Sequence, residues 1–172
     1  LPLVGIEPAV KPAAQNHRGE KVAVMATPLT LHEEKFKQLV KRYEDQAVII
    51  PVPCPDLVEY VEKGILEGPE LEGYLKDVLT PCLQEGVKAV VLGCTHFPLV
   101  KAAIGKVVGE SVRIYDGGEG TARQAKCLLA AKNLCTDQEK GHICFESSAP
   151  EKEAYYEALY RKAAHIDSRV KL

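Results

Sequence analysis

What most restricts the folds open to this chain of 172 residues is an alternation: short β-branched and small apolar runs separated by longer stretches of helical period. Residues 21–26, 47–52, 87–92 and 111–115 each read as a strand, and a fifth is predicted at 142–145. The pattern therefore predicts an α/β fold, a mainly parallel sheet flanked by helices.

The helices carry their own boundary signals. Thr30-Leu31-His32-Glu33 matches a capping box, with Phe36, Leu39, Val40 and Tyr43 following on one face, so a single helix is expected to start at Thr30. Pro55 and Asp56 open a shorter one that reaches Glu62 and stops at Gly64. Pro69 starts another that ends at Gly86, with Pro81 inside it as a possible kink. Pro98 stands in the first turn of a helix closed by Gly109. Further helices are expected over residues 119–134 and from about Pro150 onward.

Composition narrows the function classes. The formal charge is −2, hydrophobic residues make up 46% and charged residues 27%, values of an ordinary globular chain. Basic residues are interspersed with acidic ones, which speaks against nucleic acid as a partner. No apolar run approaches the roughly 20 residues that span a bilayer, and the first residues lack the pattern of a signal peptide, so no membrane and a cytoplasmic location are expected. The six cysteines then read as reduced thiols. Absence of an initiator Met and the Pro-rich opening lead us to expect residues upstream.

The most informative stretch is Ala89-Val90-Val91-Leu92-Gly93-Cys94-Thr95-His96-Phe97-Pro98, a buried strand that ends in a polar turn before a helix. In open α/β sheets, ligands bind at that carboxyl end. Gly93 permits close backbone approach, Cys94 offers a thiol, and His96 can hold or exchange its proton. On residue type alone a cysteine after a strand is more often a packed core thiol. A metal is not expected, because Cys94 and His96 lack a second ligand pair at zinc spacing. Spacing alone leaves the function open.

Gly93-Cys94-Thr95-His96-Phe97-Pro98 at the end of an apolar strand resembles the second cysteine motif of glutamate racemases. Three further segments agree in order: Gly5-Ile6-Glu7-Pro8-Ala9-Val10-Lys11-Pro12-Ala13; Ala26-Thr27-Pro28-Leu29-Thr30 with Glu34-Lys35-Phe36; and Pro53-Cys54-Pro55 leading to Val61-Glu62. The resemblance implies one complete Rossmann-like lobe of a two-lobe racemase at residues 1–115, and a return segment, 116–172, that completes part of the other lobe. It implies interconversion of L- and D-glutamate without a cofactor by two-cysteine proton transfer, supplying D-glutamate for peptidoglycan. Cys94 and His96 would be catalytic; Thr95, Thr27 and Thr30 would bind substrate; a homodimer is the family's common assembly. Gly117 departs from the family's Asp-Ser pattern. The family's first motif, Cys-Asn-Thr-Ala, has no counterpart in these residues, so negligible activity is expected of them alone.

Other readings compete. Thr30 serves equally as a helix cap and Thr27 as a strand end, and Glu62 reads by residue type as a solvated helix carboxylate. Cys54, Cys82, Cys127, Cys135 and Cys144 read as core or surface thiols. The rival functions are an aspartate or hydantoin racemase of the same superfamily, a thiol hydrolase using Cys94 and His96, and a non-catalytic binding domain. His96 argues against the aspartate branch, whose similar motif usually carries Glu after Cys-Thr.

Overall fold

The computed structural model describes residues 2–136 and 142–169. It contains four parallel strands, β1 (Lys21–Ala26), β2 (Val48–Pro53), β3 (Ala89–Leu92) and β4 (Arg113–Tyr115), in the order β2-β1-β3-β4. Helices α1 (Val10–Asn16), α2 (Pro28–His32), α3 (Glu34–Lys41), α4 (Leu57–Glu62), α5 (Pro69–Gln84) and α6 (Lys101–Val108) lie before and between them. The α/β class and the four strands expected from the sequence are therefore present, each within two residues of its expected start and one of its expected end. None of the described helices is long and apolar enough to cross a membrane.

The central strands β1 and β3 are covered on both faces. Val22, Val24, Ala89 and Val91 point to one face and pack with Val10, Ala13 and Ala14 of α1 and Phe36, Leu39 and Tyr43 of α3. Ala23, Met25, Val90 and Leu92 alternate to the other face and are equally buried. On that side Gly105 of α6 lies against Ile114 of β4, the register partner of Val90, and α5 packs on α6. Leu71, Leu75 and Leu79, spaced four apart along α5, are fully buried, and each such burial stabilises the fold by roughly 2 kcal/mol.

Strand β2 is an edge with a particular chemistry. The amides of Val48 and Cys54 donate to the carbonyls of Glu20, just before β1, and of Ala26 at its end. With the two-residue period of a strand, the intervening odd positions face away from the sheet. Those positions are Ile49, Pro51 and Pro53, so two of the three outward sites carry no N–H.

Two expectations fail. The helix predicted to start at Thr30 is two helices. Pro28 suits the first helical position and holds Thr27 extended (φ −68°, ψ 151°), so Thr27 is the cap of α2, accepting the Thr30 amide at 3.3 Å. Glu33 is extended as well, and α3 begins after it. Residues 142–145 form no strand: a strand needs a neighbour for its backbone groups, and no other strand lies in that part of the chain among the described residues.

The chain divides into two compact units, Glu7–Gly117, which holds the whole sheet, and Leu1–Ile6 with Gly118–Leu172. The second contains α7 (Gly118–Ala131) and α8 (Glu153–Arg169), the latter preceded by a single 3-10 turn at Pro150–Lys152. After α7, Asn133 takes a left-handed conformation (φ 54°) while the Leu134 amide bonds back to Leu129, a helix stop that Asn tolerates better than most side chains.

Candidate active site

Two of the segments singled out above leave the sheet side by side. Thr27 follows the last residue of β1 and Cys94 follows Gly93 at the end of β3, and β1 and β3 are neighbours. The Gly93 amide donates to the Met25 carbonyl at 2.7 Å, extending the β1–β3 ladder one bond past its last register pair. Beyond it the chain turns through Cys94-Thr95-His96 into a 3-10 helix, Phe97–Val100, whose Phe97 is fully buried. That ring anchors the far side of the turn.

Within the turn, Cys94 Sγ lies 3.8 Å from His96 Nδ1, and His96 Nε2 lies 3.0 Å from Glu62 Oε1 at the end of α4. The side chains of His96 and Glu62 are 33% and 40% exposed, so the line of three groups opens to solvent. As an ionised carboxylate Glu62 only accepts, which places a proton on Nε2. In the neutral ring Nδ1 is then a lone pair facing the thiol. A proton passing from Sγ to Nδ1 leaves a thiolate beside an imidazolium that Glu62 stabilises, and the thiolate is the form of cysteine that accepts a proton or attacks an electrophile.

Thr27 and Thr30 form a second cluster, their hydroxyl oxygens 3.0 Å apart and both part-buried. Thr95 is exposed in the cysteine turn. The structure therefore pairs Cys94 with His96 and Thr27 with Thr30, the two clusters standing on adjacent strand ends. Glu62 is the residue that residue-type reasoning missed. It is no free helix carboxylate but a partner of His96 from 34 positions away in the sequence, and only the resemblance of Val61-Glu62 to a family segment hinted at it.

The other cysteines contrast with Cys94. Cys54 follows β2 at the same end of the sheet, yet it is fully buried and its thiol donates to the Val52 carbonyl at 3.4 Å. Burial pushes that thiol up to about 12, so it stays protonated at neutral pH. Cys82 is also raised by burial, whereas Cys127, Cys135 and Cys144 are exposed. All six are free thiols. Among the described residues no group of three or more His, Cys, Asp or Glu side chains is placed to hold a metal ion.

A parallel α/β sheet carries a part-buried thiol, an imidazole and a carboxylate in line at its carboxyl end, the groups that a thiol-based acid–base site requires. The Asp/Glu/hydantoin racemase family matches residues 1–125, and the chain belongs to that family. It is 43% identical over 153 residues to a glutamate racemase of Clostridium perfringens, covering 88% of this chain and 59% of the relative. With a glutamate racemase of Clostridium kluyveri it shares 47% over 140 residues, 81% of this chain and 54% of that one. Among solved structures, Escherichia coli glutamate racemase in complex with L-glutamate and the activator UDP-MurNAc-ala is similar with a TM-score of 0.75 at 30% identity, over 94% of this chain and 62% of that one. Thermus thermophilus glutamate racemase in complex with beta-chloro-D-alanine gives 0.65 at 28%, over 89% and 56%. The chain thus spans under two thirds of the length of each.

Proposed function

We propose that this chain supplies one proton-transfer face of a glutamate racemase, with Cys94 as the group that takes and returns the substrate's Cα hydrogen. The observation that carries the reading is the Cys94–His96–Glu62 line at the mouth of β3, together with glutamate racemases as relatives at 43–47% identity. As thiolate, Cys94 removes the Cα proton: the C–H bond breaks, S–H forms, and the electron pair delocalises into the adjacent carboxylate. Reprotonation from the opposite face requires a second acid, and these residues hold one cysteine motif of the two that the family pattern contains.

In this reading His96 relays the proton to and from Sγ, and Glu62 holds the ring. The hydroxyls of Thr27, Thr30 and Thr95 bond the substrate's charged ends, which cannot be desolvated without partners. Residues 1–115 form the second lobe, and 116–172 return to the first. The intact enzyme interconverts L- and D-glutamate without a cofactor for peptidoglycan synthesis, in the cytoplasm, as a homodimer.

The test supplies the portion of the Clostridium perfringens relative that bears the other cysteine motif in trans, and follows L-to-D conversion by circular dichroism. Turnover should arise in the mixture, be negligible for the 172 residues alone, and fall by about 10³-fold in Cys94→Ser, at the scale of a lost acid–base group. Turnover indifferent to Cys94→Ser would overturn the reading. The same three groups also suit a thiol hydrolase, and mass spectrometry separates the two: an acyl adduct on Cys94 after exposure to an ester substrate would mark the hydrolase.

A further inference from the structure

The approach of β3 to β1 at Gly93 is closer than any side chain allows. A Cβ built on Gly93 would stand 2.7 Å from the Met25 carbonyl oxygen, 3.3 Å from Ala26 Cβ and 3.5 Å from Val24 Cγ1. The first of these is backbone in a central strand with β2 on its other side, so it cannot swing aside as a flexible side-chain tip would. A larger residue would have to move the exit of β3 by several tenths of an ångström and give up or lengthen the 2.7 Å bond from Gly93 N to Met25 O.

That displacement falls where the site tolerates least. Gly93 is joined directly to Cys94, whose sulfur already sits 3.8 Å from His96 Nδ1, near the outer limit of a sulfur hydrogen bond. The other end of the turn is pinned by Phe97, buried without exposure, so it cannot follow. On the β1 side the contact involves Met25 and Ala26, the two residues before Thr27. One close approach therefore fixes both strand exits against each other.

We infer that Gly93 is a positioning residue, holding Cys94 in register with His96 and with the Thr27 loop by admitting the Met25 carbonyl where a Cβ would stand. The inference rests on the reading of Cys94 and His96 given above and adds to it the element that sets their geometry. It makes Gly93 a requirement of the site rather than of the fold alone. By contrast, a Cβ at Gly73 within α5 meets nothing within 4 Å.

A double-mutant cycle on the 172-residue chain tests it. The rate of Cys94 alkylation by iodoacetamide is followed across pH by peptide mass spectrometry, in wild type, His96→Ala, Gly93→Ala and the double variant, with Gly73→Ala as control. The factor by which His96→Ala changes that rate should shrink toward one when Gly93 is already Ala, and stay whole in the Gly73→Ala background. An equal factor in both backgrounds overturns the assignment of Gly93 while leaving the Cys94–His96 pair standing. No effect of His96→Ala in the wild-type chain sinks the pair, and the inference with it. Should Gly93→Ala not fold, hydrogen exchange of the wild-type chain decides: the Gly93 amide protected as strongly as the amides of β3 supports the clamp, and free exchange there refutes it.

Discussion

At the scale of single residues, environment separates two thiols that residue type alone does not distinguish. Cys54 and Cys94 both stand at the carboxyl end of the sheet; burial removes water from one, and the other keeps solvent and an imidazole. Iodoacetamide at neutral pH is expected to label Cys94 and the exposed Cys127 in the native chain while Cys54 is modified only after unfolding, because its thiol is pushed up to about 12. Peptide mapping with and without urea checks this, and prompt native labelling of Cys54 would contradict it. Removing the imidazole in His96→Ala should slow Cys94 alkylation by about tenfold, and Glu62→Ala should slow it less, by a few-fold. Both would be read at fixed pH on the same peptide. The cysteine and the histidine were legible from a six-residue motif, since they lie two positions apart. Glu62 was not, because its contact is made by the packing of α4 beside the cysteine turn, and residue type gives no sign of a partner so distant in sequence.

At the scale of elements, the sequence was most readable where hydrophobic period alone decides. Strands β1 and β3 are apolar on both faces and are sandwiched between helices, and α5 carries its Leu71-Leu75-Leu79 stripe between Pro69 and Gly86. Replacing Leu75 by Ala removes a fully buried side chain and should cost about 3 kcal/mol in chemical denaturation. Legibility failed where two local rules compete. The capping box at Thr30 lost to Thr27-Pro28, since a proline at the first helical position starts a helix one turn earlier. The hydroxyl of Thr27 consequently serves the α2 amide as well as pairing with Thr30. Thr27→Ala is expected to destabilise the chain by about 1 kcal/mol, the loss of one cap, and Thr27→Ser to recover most of it. If a thermal melt finds the alanine variant neutral, the cap contributes nothing to stability. The run at 142–145 has the composition of a strand, but composition cannot provide the neighbour that a strand requires.

At the scale of the whole molecule, the unit Glu7–Gly117 holds the sheet, the helices on both of its faces and every candidate site residue. Expressed alone, residues 7–117 should unfold in one cooperative transition with coincident fluorescence and circular dichroism midpoints; separate midpoints would deny it the standing of a folding unit. Alkali should weaken the fold. The Cys54 thiol rises from 9.0 to about 12 and the Tyr74 hydroxyl from 10.0 to about 12, both chiefly through burial. Below about pH 9 folded and unfolded chains both keep these protons and stability does not respond to them. Above it the unfolded chain releases protons that the folded chain retains, so stability falls as pH climbs toward 12. Urea midpoints at about pH 8 and about pH 10.5 should differ in that direction, and Cys54→Ala should flatten the difference.

The prolines of β2 carry a consequence for how such chains meet one another. An open sheet invites extension, each added strand docking through a ladder of amides, and that is how edge-exposed proteins run together into fibres. Here the rim offers a newcomer Ile49 and then two rings without hydrogen to give. A strand docking backbone to backbone along that border would go without two of the three amide donors it could otherwise meet.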